Sequence, residues 1–355
     1  MKTKNDVMKL LIPVLSILAA FVIGGVIIAC LGKNPLEAYG FLFSGALGTS
    51  AKIAQTLEVA CPLIFTGLAA AFAYKCGMFN LGGEGQFIMG SIMSIVISTQ
   101  TGLTGVPAII ISLLCGALAG GLWGAIPGIL KITRGLNEMI VSIMLNYIAT
   151  LFMGCVFTNI LRDGSVPQTP PVPDESQLAN ISEGFRAHWG IVIAILLALI
   201  LYYFMFYTSQ GFKLRAVGMN ATAARFNGFP VNKIILAAFI CSGAIAGLGG
   251  SVELHGKQFR LMQGYGSGFG FDGVAIALIA QLNPVATVIV ALFFGILRKG
   301  ASTLQAGMKV PTSVVDIIQA LIIVFAVAGT ALVRLPSVQQ FIRVHFSGKG
   351  KEAEH

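Results

Sequence analysis

Apolar residues run along this chain in long unbroken stretches and seldom alternate with polar ones. Stretches of about 20 apolar residues suit helices that cross a lipid bilayer. Candidates lie near 10–31, 54–74, 87–99, 107–130, 138–160, 189–208, 234–252, 271–282, 285–298 and 313–333. The third and eighth are short. Asn283-Pro284 interrupts the chain between the eighth and ninth, either as a loop or as a kink within one helix, so nine spans stands beside ten. The pattern predicts an all-α polytopic membrane protein of about ten transmembrane helices.

Composition narrows the class. Charged residues make up 10% of the 355 positions and hydrophobic ones 56%, whereas an ordinary soluble domain carries about 25% charge. So few charges cannot cover a soluble surface, which excludes a cytosolic enzyme, a nucleic-acid factor and a disordered scaffold. The net charge of +9 sits mostly in the connections and reads as topology, because Lys and Arg mark cytoplasmic loops. Lys2, Lys4 and Lys9 place the start inside, ahead of a first span at 10–31 that is too long for a signal-peptide core. Lys131 and Arg134 then fall inside, as do Lys213, Arg215, Arg225 and Lys233. The long connection 161–188 falls outside, with Asp163, Asp174, Glu175 and Glu183 against Arg162 and Arg186. Arg298, Lys299 and Lys309 fall outside against the rule. The cysteines are scattered through apolar runs and read as packing residues.

An internal echo organises the rest. Thr66-Gly67-Leu68-Ala69 resembles Ser242-Gly243-Ala244-Ile245, Pro107 matches Pro284, and 137–148 resembles 312–323. Spans two to five correspond to spans seven to ten. An odd number of spans separates each pair, so the copies insert in opposite directions, an arrangement typical of transporters. The expected organisation is one transmembrane domain over 1–355: first span 10–31, repeat one 54–160, external loop 161–188, cytoplasmic coupling loop 209–233, repeat two 234–333 and cytoplasmic tail 334–355.

Three segments carry candidate chemistry. The first, Gly77-Met78-Phe79-Asn80-Leu81-Gly82-Gly83-Glu84-Gly85-Gln86, disfavours a straight helix and suits unwound backbone lining a cavity. Asn80, Glu84 and Gln86 supply polar groups there, and Phe79 a ring face for a planar solute. The same residues also suit a plain cytoplasmic hinge. The second set comprises polar residues beside or within spans: Glu58, Asn137, Glu138, Asn146, Asp272, Gln281, Asn283, Gln305, Asp316 and Gln319. Acids at membrane depth need protein or water partners. Glu138 and Asp316 occupy matching places in the two repeats, either as a central pair or as helix-start acids stabilised by the macrodipole. The third is 218–230, where Asn220 can cap a short helix, Gly228 can close it and Pro230 can stop it. That helix is brief and amphipathic, with small Ala223 and Ala224 beside bulky Phe226, a shape that can sit in a partner's groove and that also suits a simple surface turn. No G-x-x-x-x-G-K-[ST] motif occurs, so any ATP is bound by another polypeptide. His188, His255, His345 and His355 are isolated, and no nucleophile–base pairing stands out.

Together these segments resemble the permease subunits of bacterial ABC importers, in the branch serving ribose-type sugars, branched-chain amino acids and nucleosides. Ala223-Ala224-x3-Gly228 is similar to the family's cytoplasmic coupling motif, with Thr222 where Glu is common. Phe79-Asn80-Leu81-Gly82-Gly83-Glu84-Gly85-Gln86 looks like the nucleoside-type pattern, as do Gly135-Leu136-Asn137-Glu138, Leu145-Asn146-Tyr147 and 211–218. The resemblance covers about residues 55–335. It implies a type II importer-like fold in a bacterial inner membrane, with both termini cytoplasmic. It further implies a second permease subunit, alike or different, cytoplasmic ATP-binding subunits docked on Thr222, Ala223, Ala224, Arg225 and Gly228, and an extracytoplasmic solute-binding protein. No nucleic acid and no cofactor of its own are implied. For a flat, polar nucleoside the pathway would draw on Phe79, Asn80, Glu84, Gln86, Asn137, Glu138 and Asn146. Alternatives are a simple-sugar or branched-chain amino acid permease, and, from another class, an ion-coupled secondary transporter using Glu84, Glu138 or Asp316.

Overall fold

The computed structural model describes residues 17–182 and 184–332; expectations for 10–16, Glu183 and the tail 334–355 lie outside them. The helices are α1 (Ile17–Cys30), α2 (Pro35–Leu47), α3 (Ser50–Lys75), α4 (Gly83–Gln100), α5 (Gly105–Arg134), α6 (Glu138–Cys155), α7 (Gly190–Tyr207), α8 (Ser209–Met219), α9 (Ala221–Phe226), α10 (Val231–Glu253), α11 (Phe269–Ile279), α12 (Pro284–Met308) and α13 (Thr312–Leu332). Helices α6 and α10 each run on into a π turn, Val156–Ile160 and Leu254–Gln258. Among the described residues, seven are long and apolar enough to cross a membrane: α3, α5, α6 and α10 with their π turns, α7, α12 and α13. The pair α1 and α2, bent by 116°, meets that measure only together. The expected third and eighth spans, α4 and α11, are not among the seven, so the chain is a polytopic helical membrane protein with fewer unambiguous spans than the apolar runs suggest.

Several elements differ from expectation for physical reasons. Helix α2 fills a stretch read as connection: Asn34 Oδ1 accepts the Leu36 N–H at 3.0 Å, and Pro at the first helical position loses no hydrogen bond. The break at Asn283-Pro284 is a true interruption, with Gln281 and Leu282 both at positive φ and Asn283 Oδ1 accepting from Val285 N at 3.0 Å. Helix α12 continues well past its expected end, so Arg298 and Lys299 sit within a helix and not in an external loop. Arg298 is ion-paired with Asp272. The positive-inside rule concerns loop charges, so it no longer bears on Arg298 and Lys299, whereas Lys309 lies in the connection after α12 and still runs against it.

Two compact units make up the described chain, one over 43–299 and one from 17–42 with 300–332. In the smaller, Gly24 lies against Ile318 and Gly300 against Leu42, and the Tyr39 hydroxyl donates to the Phe21 carbonyl. In the larger, α10 is the hub, packed on α3, α4 and α5. Glycines at four-residue spacing make this possible: Gly116, Gly120 and Gly124 on α5 meet Gly243 and Gly247 on α10 backbone to backbone. A Cβ on Gly247 would lie 2.9 Å from Gly120 Cα, and one on Gly90 of α4 would overlap Gly247. Without a hydrophobic drive between helices in lipid, such close approach supplies the packing energy. Helix α3 packs on α11 in the same way, Gly273 fitting against Thr66.

Segment 161–188 is not loose loop. It holds a 3-10 turn (Asp174–Ser176) and a hairpin of β1 (Asn180–Ser182) with β2 (Phe185–His188), paired antiparallel. Backbone bonds tie it to the stretch after α10: Thr169 N to Leu261 O at 3.0 Å, Val172 N to Phe259 O at 2.7 Å and Leu178 N to His255 O at 2.8 Å. His255 anchors it from below, with Nδ1 2.7 Å from the Ser176 carbonyl and Nε2 3.0 Å from Ser94 Oγ. A carbonyl only accepts, so Nδ1 carries the proton and Nε2 accepts from the serine.

A Gly120→Leu change should therefore force α5 and α10 apart, costing about 3 kcal/mol; reduced membrane abundance and a lower melting temperature in detergent would show it. His188, in β2, is buried, and burial pulls its pKa down to about 4, with Lys257 adding repulsion. Because the folded value lies below the ordinary one of about 6.5, the stabilisation is full above pH 6.5 and is lost as pH falls toward 4. Amide-exchange protection across 178–190, corrected for intrinsic rates, should fall between pH 7 and pH 5, and less so in His188→Gln.

Candidate functional site

The Gly-rich segment is unwound only over 76–82, because α4 begins at Gly83 and takes Glu84, Gly85 and Gln86 into its first turn. Gly77 turns the chain at φ +76°. The later glycines serve close approach: a Cβ on Gly85 would lie 2.9 Å from Asn146 Oδ1, and one on Gly82 3.0 Å from both Asn80 Oδ1 and Gln86 Nε2.

The amides of this segment hold one another. Asn80 is buried and its Nδ2 donates to Gln86 Oε1 at 3.0 Å and to Ser242 Oγ at 2.9 Å. Its Oδ1 accepts from Gly82 N at 3.0 Å and from Gln86 Nε2 at 3.1 Å. Ser242 passes its own proton to the Ala69 carbonyl at 2.7 Å, so the knot ties the loop to both α3 and α10. Asn146, on α6, clamps the same loop from the other side: Oδ1 accepts from Gly85 N at 2.8 Å and Nδ2 donates to Leu81 O at 2.9 Å.

Glu84 has a different role. Its Oε2 accepts the Gly268 N–H at 3.0 Å, and Gly268, at φ +81°, is the N-terminal cap of α11. A carboxylate from α4 thus closes the start of α11, where the macrodipole favours an anion. Asp272, in the first turn of α11, is ion-paired with Arg298. The Arg298 guanidinium also lies over the Phe269 ring, 5.4 Å from its centre.

A cavity of about 350 Å³ opens beside this junction, lined by Glu84 together with Asn146, Tyr147, Thr150, Ser267 and Phe271, among others. Of the seven residues expected along a pathway, Glu84 and Asn146 line it. Asn80 and Gln86 lie behind it in the knot. Phe79 packs edge-on against Tyr74 with ring centres 4.9 Å apart. Asn137 caps α6, accepting from Met139 N at 3.0 Å. Glu138 pairs with Lys131 at 2.8 Å across the turn joining α5 to α6, and Asp316 is exposed on α13. The cavity's aromatic residues, Tyr147 and Phe271, are not among the residues the sequence reading expects at the site. The signal existed: Tyr147 directly follows Asn146, and Phe271 opens the eighth apolar run among the glycines Gly266, Gly268, Gly270 and Gly273.

The loop after α7 presents a second surface. Asn220 Oδ1 caps α9 by accepting from Ala223 N at 2.9 Å, and Gly228 ends it at φ +79°, with Phe229 N returning to Ala224 O at 3.1 Å. Only Ala224 of α9 is buried; Thr222, Ala223 and Arg225 face outward, and Phe226 is 89% exposed. Helix α8 ends against the Gly-rich loop: a Cβ on Gly77 would lie 3.2 Å from Gly218 Cα. Lys75 and Arg215 both sit over the Phe206 ring, at 5.6 and 5.2 Å.

Comparison with known proteins fits this layout. Residues 52–327 match the family model described as branched-chain amino acid transport system / permease component. The chain is 35% identical to the guanosine ABC transporter permease protein NupP of Bacillus subtilis, over 91% of this chain and 94% of that one. It is 33% identical to the nucleoside ABC transporter permease protein NupB of Lactococcus lactis, over 94% and 95% of the two chains. It is 32% identical to the glucose ABC transporter permease protein TsgB13 of Haloferax volcanii, over 89% and 87%.

Replacing Asn146 with Leu should strand the Gly85 N–H and the Leu81 carbonyl in a buried place, a loss of about 2 kcal/mol. A lower melting temperature of the purified protein checks this; an unchanged one would make Asn146 a solute contact only.

Proposed function

The chain belongs to the family of branched-chain amino acid transport system permease components, and on that premise we propose that it forms the membrane pathway of an ATP-driven importer for nucleosides. The observation that carries this reading is the meeting of two surfaces on one loop. The cavity at Glu84 and the outward-facing helix α9 are both linked to 76–86, the first through Glu84 itself and the second through the adjoining α8, whose Gly218 abuts Gly77. A permease driven by a separate ATPase needs such a link, because the energy arrives on the cytoplasmic side and the solute crosses within the membrane.

In this reading the chain hydrolyses nothing, and ATP is bound by cytoplasmic subunits seated on Thr222, Ala223, Arg225 and the exposed Phe226, with Ala224 and Gly228 holding the shape of α9. Two permease subunits, identical or not, enclose the pathway, and an extracytoplasmic protein delivers solute. Both termini are cytoplasmic. Ten membrane-crossing segments then count α4 and α11, which lie within the bundle. The inverted repeat is supported by exchanged packing: α3 packs on α11 as α10 packs on α4, and α12 meets α3 through Gly295 as α5 meets α10 through Gly120. Nucleosides are favoured as solutes by two of the named relatives and by a cavity that pairs aromatic faces with hydrogen-bonding groups, the composition usual for planar polar ligands.

Uptake of radiolabelled nucleoside by cells carrying this chain should stop when ATP is depleted and persist when an uncoupler dissipates the ion gradients with ATP maintained. The opposite pattern would make the chain an ion-coupled carrier. Competition by excess nucleoside but not by glucose or leucine is expected, and competition by glucose alone would shift the solute class to sugars.

A further inference from the structure

Building on the nucleoside reading, we propose that the cavity selects among nucleosides by the pairing edge of the base, with Glu84 as the acceptor that favours guanine. Three features lead there. First, the Glu84 carboxylate is fixed: Gly268 N–H holds Oε2 at 3.0 Å at the head of α11. A carboxylate offers about four acceptor sites, so acceptor capacity remains beside the backbone N–H groups of Gly268 and Gly270 that hold it. Second, among the described residues lining the cavity none is Lys or Arg, and the nearby Arg298 is committed to Asp272 and the Phe269 ring. A cavity with one acid and no cation repels phosphate groups, which sets nucleotides at a disadvantage to uncharged nucleosides. Third, Tyr147 from α6 and Phe271 from α11 both border the cavity and are 65% and 48% exposed, so their ring faces are open to a base.

The chemistry then separates the bases. Guanine presents N1–H and the N2 amino group side by side, a donor pair that matches a carboxylate. Adenine places the N1 lone pair there. Uracil flanks its one N–H with two carbonyl oxygens, which a carboxylate repels. Stacking on Tyr147 and Phe271 is common to all three and carries no such preference.

The test uses the complete importer in cells that lack other nucleoside uptake, at saturating solute so that delivery to the permease is filled. Glu84→Gln keeps an acceptor oxygen for Gly268 and removes the charge. It should cut guanosine transport about tenfold, the scale of a lost bidentate base contact, while adenosine and uridine transport and membrane abundance stay within about twofold. Tyr147→Leu should lower all three solutes together, by about tenfold. A Glu84→Gln protein that loses all three alike, or keeps the guanosine rate, overturns the assignment of base selection to Glu84 while leaving a nucleoside importer intact. Cells with the unaltered chain that take up no nucleoside overturn the functional reading itself. Should Glu84→Gln not reach the membrane, Ser267→Cys decides in its place. Its added inactivation by a thiol reagent should be slowed at about tenfold lower concentration of guanosine than of uridine, and equal slowing by both at equal concentration overturns the proposal.

Discussion

The architecture depends on helices touching through their backbones. Gly116, Gly120 and Gly124 present a groove with no side chains, and Gly243 and Gly247 fill it with another. In lipid, where apolar side chains gain little by leaving their surroundings, dispersion between closely packed atoms does the work that water does for a soluble core. The 43 glycines of the sequence are thus a packing device more than a source of flexibility. With α10 drawn so close to α4 and α5, Ser242 comes within reach of Asn80 and Ala69, and the amide knot behind the cavity becomes possible.

That knot shows how polar side chains earn a place in an apolar bundle. Asn80, Gln86 and Asn146 each have both ends of the amide engaged, so none adds a desolvation penalty. The Glu138–Lys131 pair follows a similar logic: Glu138 stands at a helix start and Lys131 at a helix end, where each is favoured even alone. The chemistry left over is narrow, amounting to one anchored carboxylate, two ring faces and a few hydroxyls around a modest cavity.

Much of the helical framework was legible in the sequence because long apolar runs have few alternatives. The cap at Asn220 and the left-handed turn at Gly228 were legible too, since both depend on residues adjacent in sequence. What could not be read depended on contacts across the chain. The extension of α12 past Arg298 hides a charge by pairing it with Asp272 on another helix, and no local pattern announces that. Helix α2 is short and rests on a bend. At the site, the motif marked the right segment, yet residue type alone could not separate Glu84, which reaches the cavity, from Asn80 and Gln86, which turn inward. A buried amide and an exposed one look alike in a string of letters.

The contact of Gly77 with Gly218 carries a mechanical meaning. Side chains between two elements act as cushions, since they can rotate and take up a displacement. Here main chain bears on main chain, and a Cβ at Gly218 would overlap the Lys75 carbonyl. A joint of that kind leaves no side chain between α8 and the loop to absorb a displacement. A substitution as small as Ala at Gly218 would drive a Cβ into the Lys75 carbonyl and wedge the joint, at a place that shares no residue with the cavity.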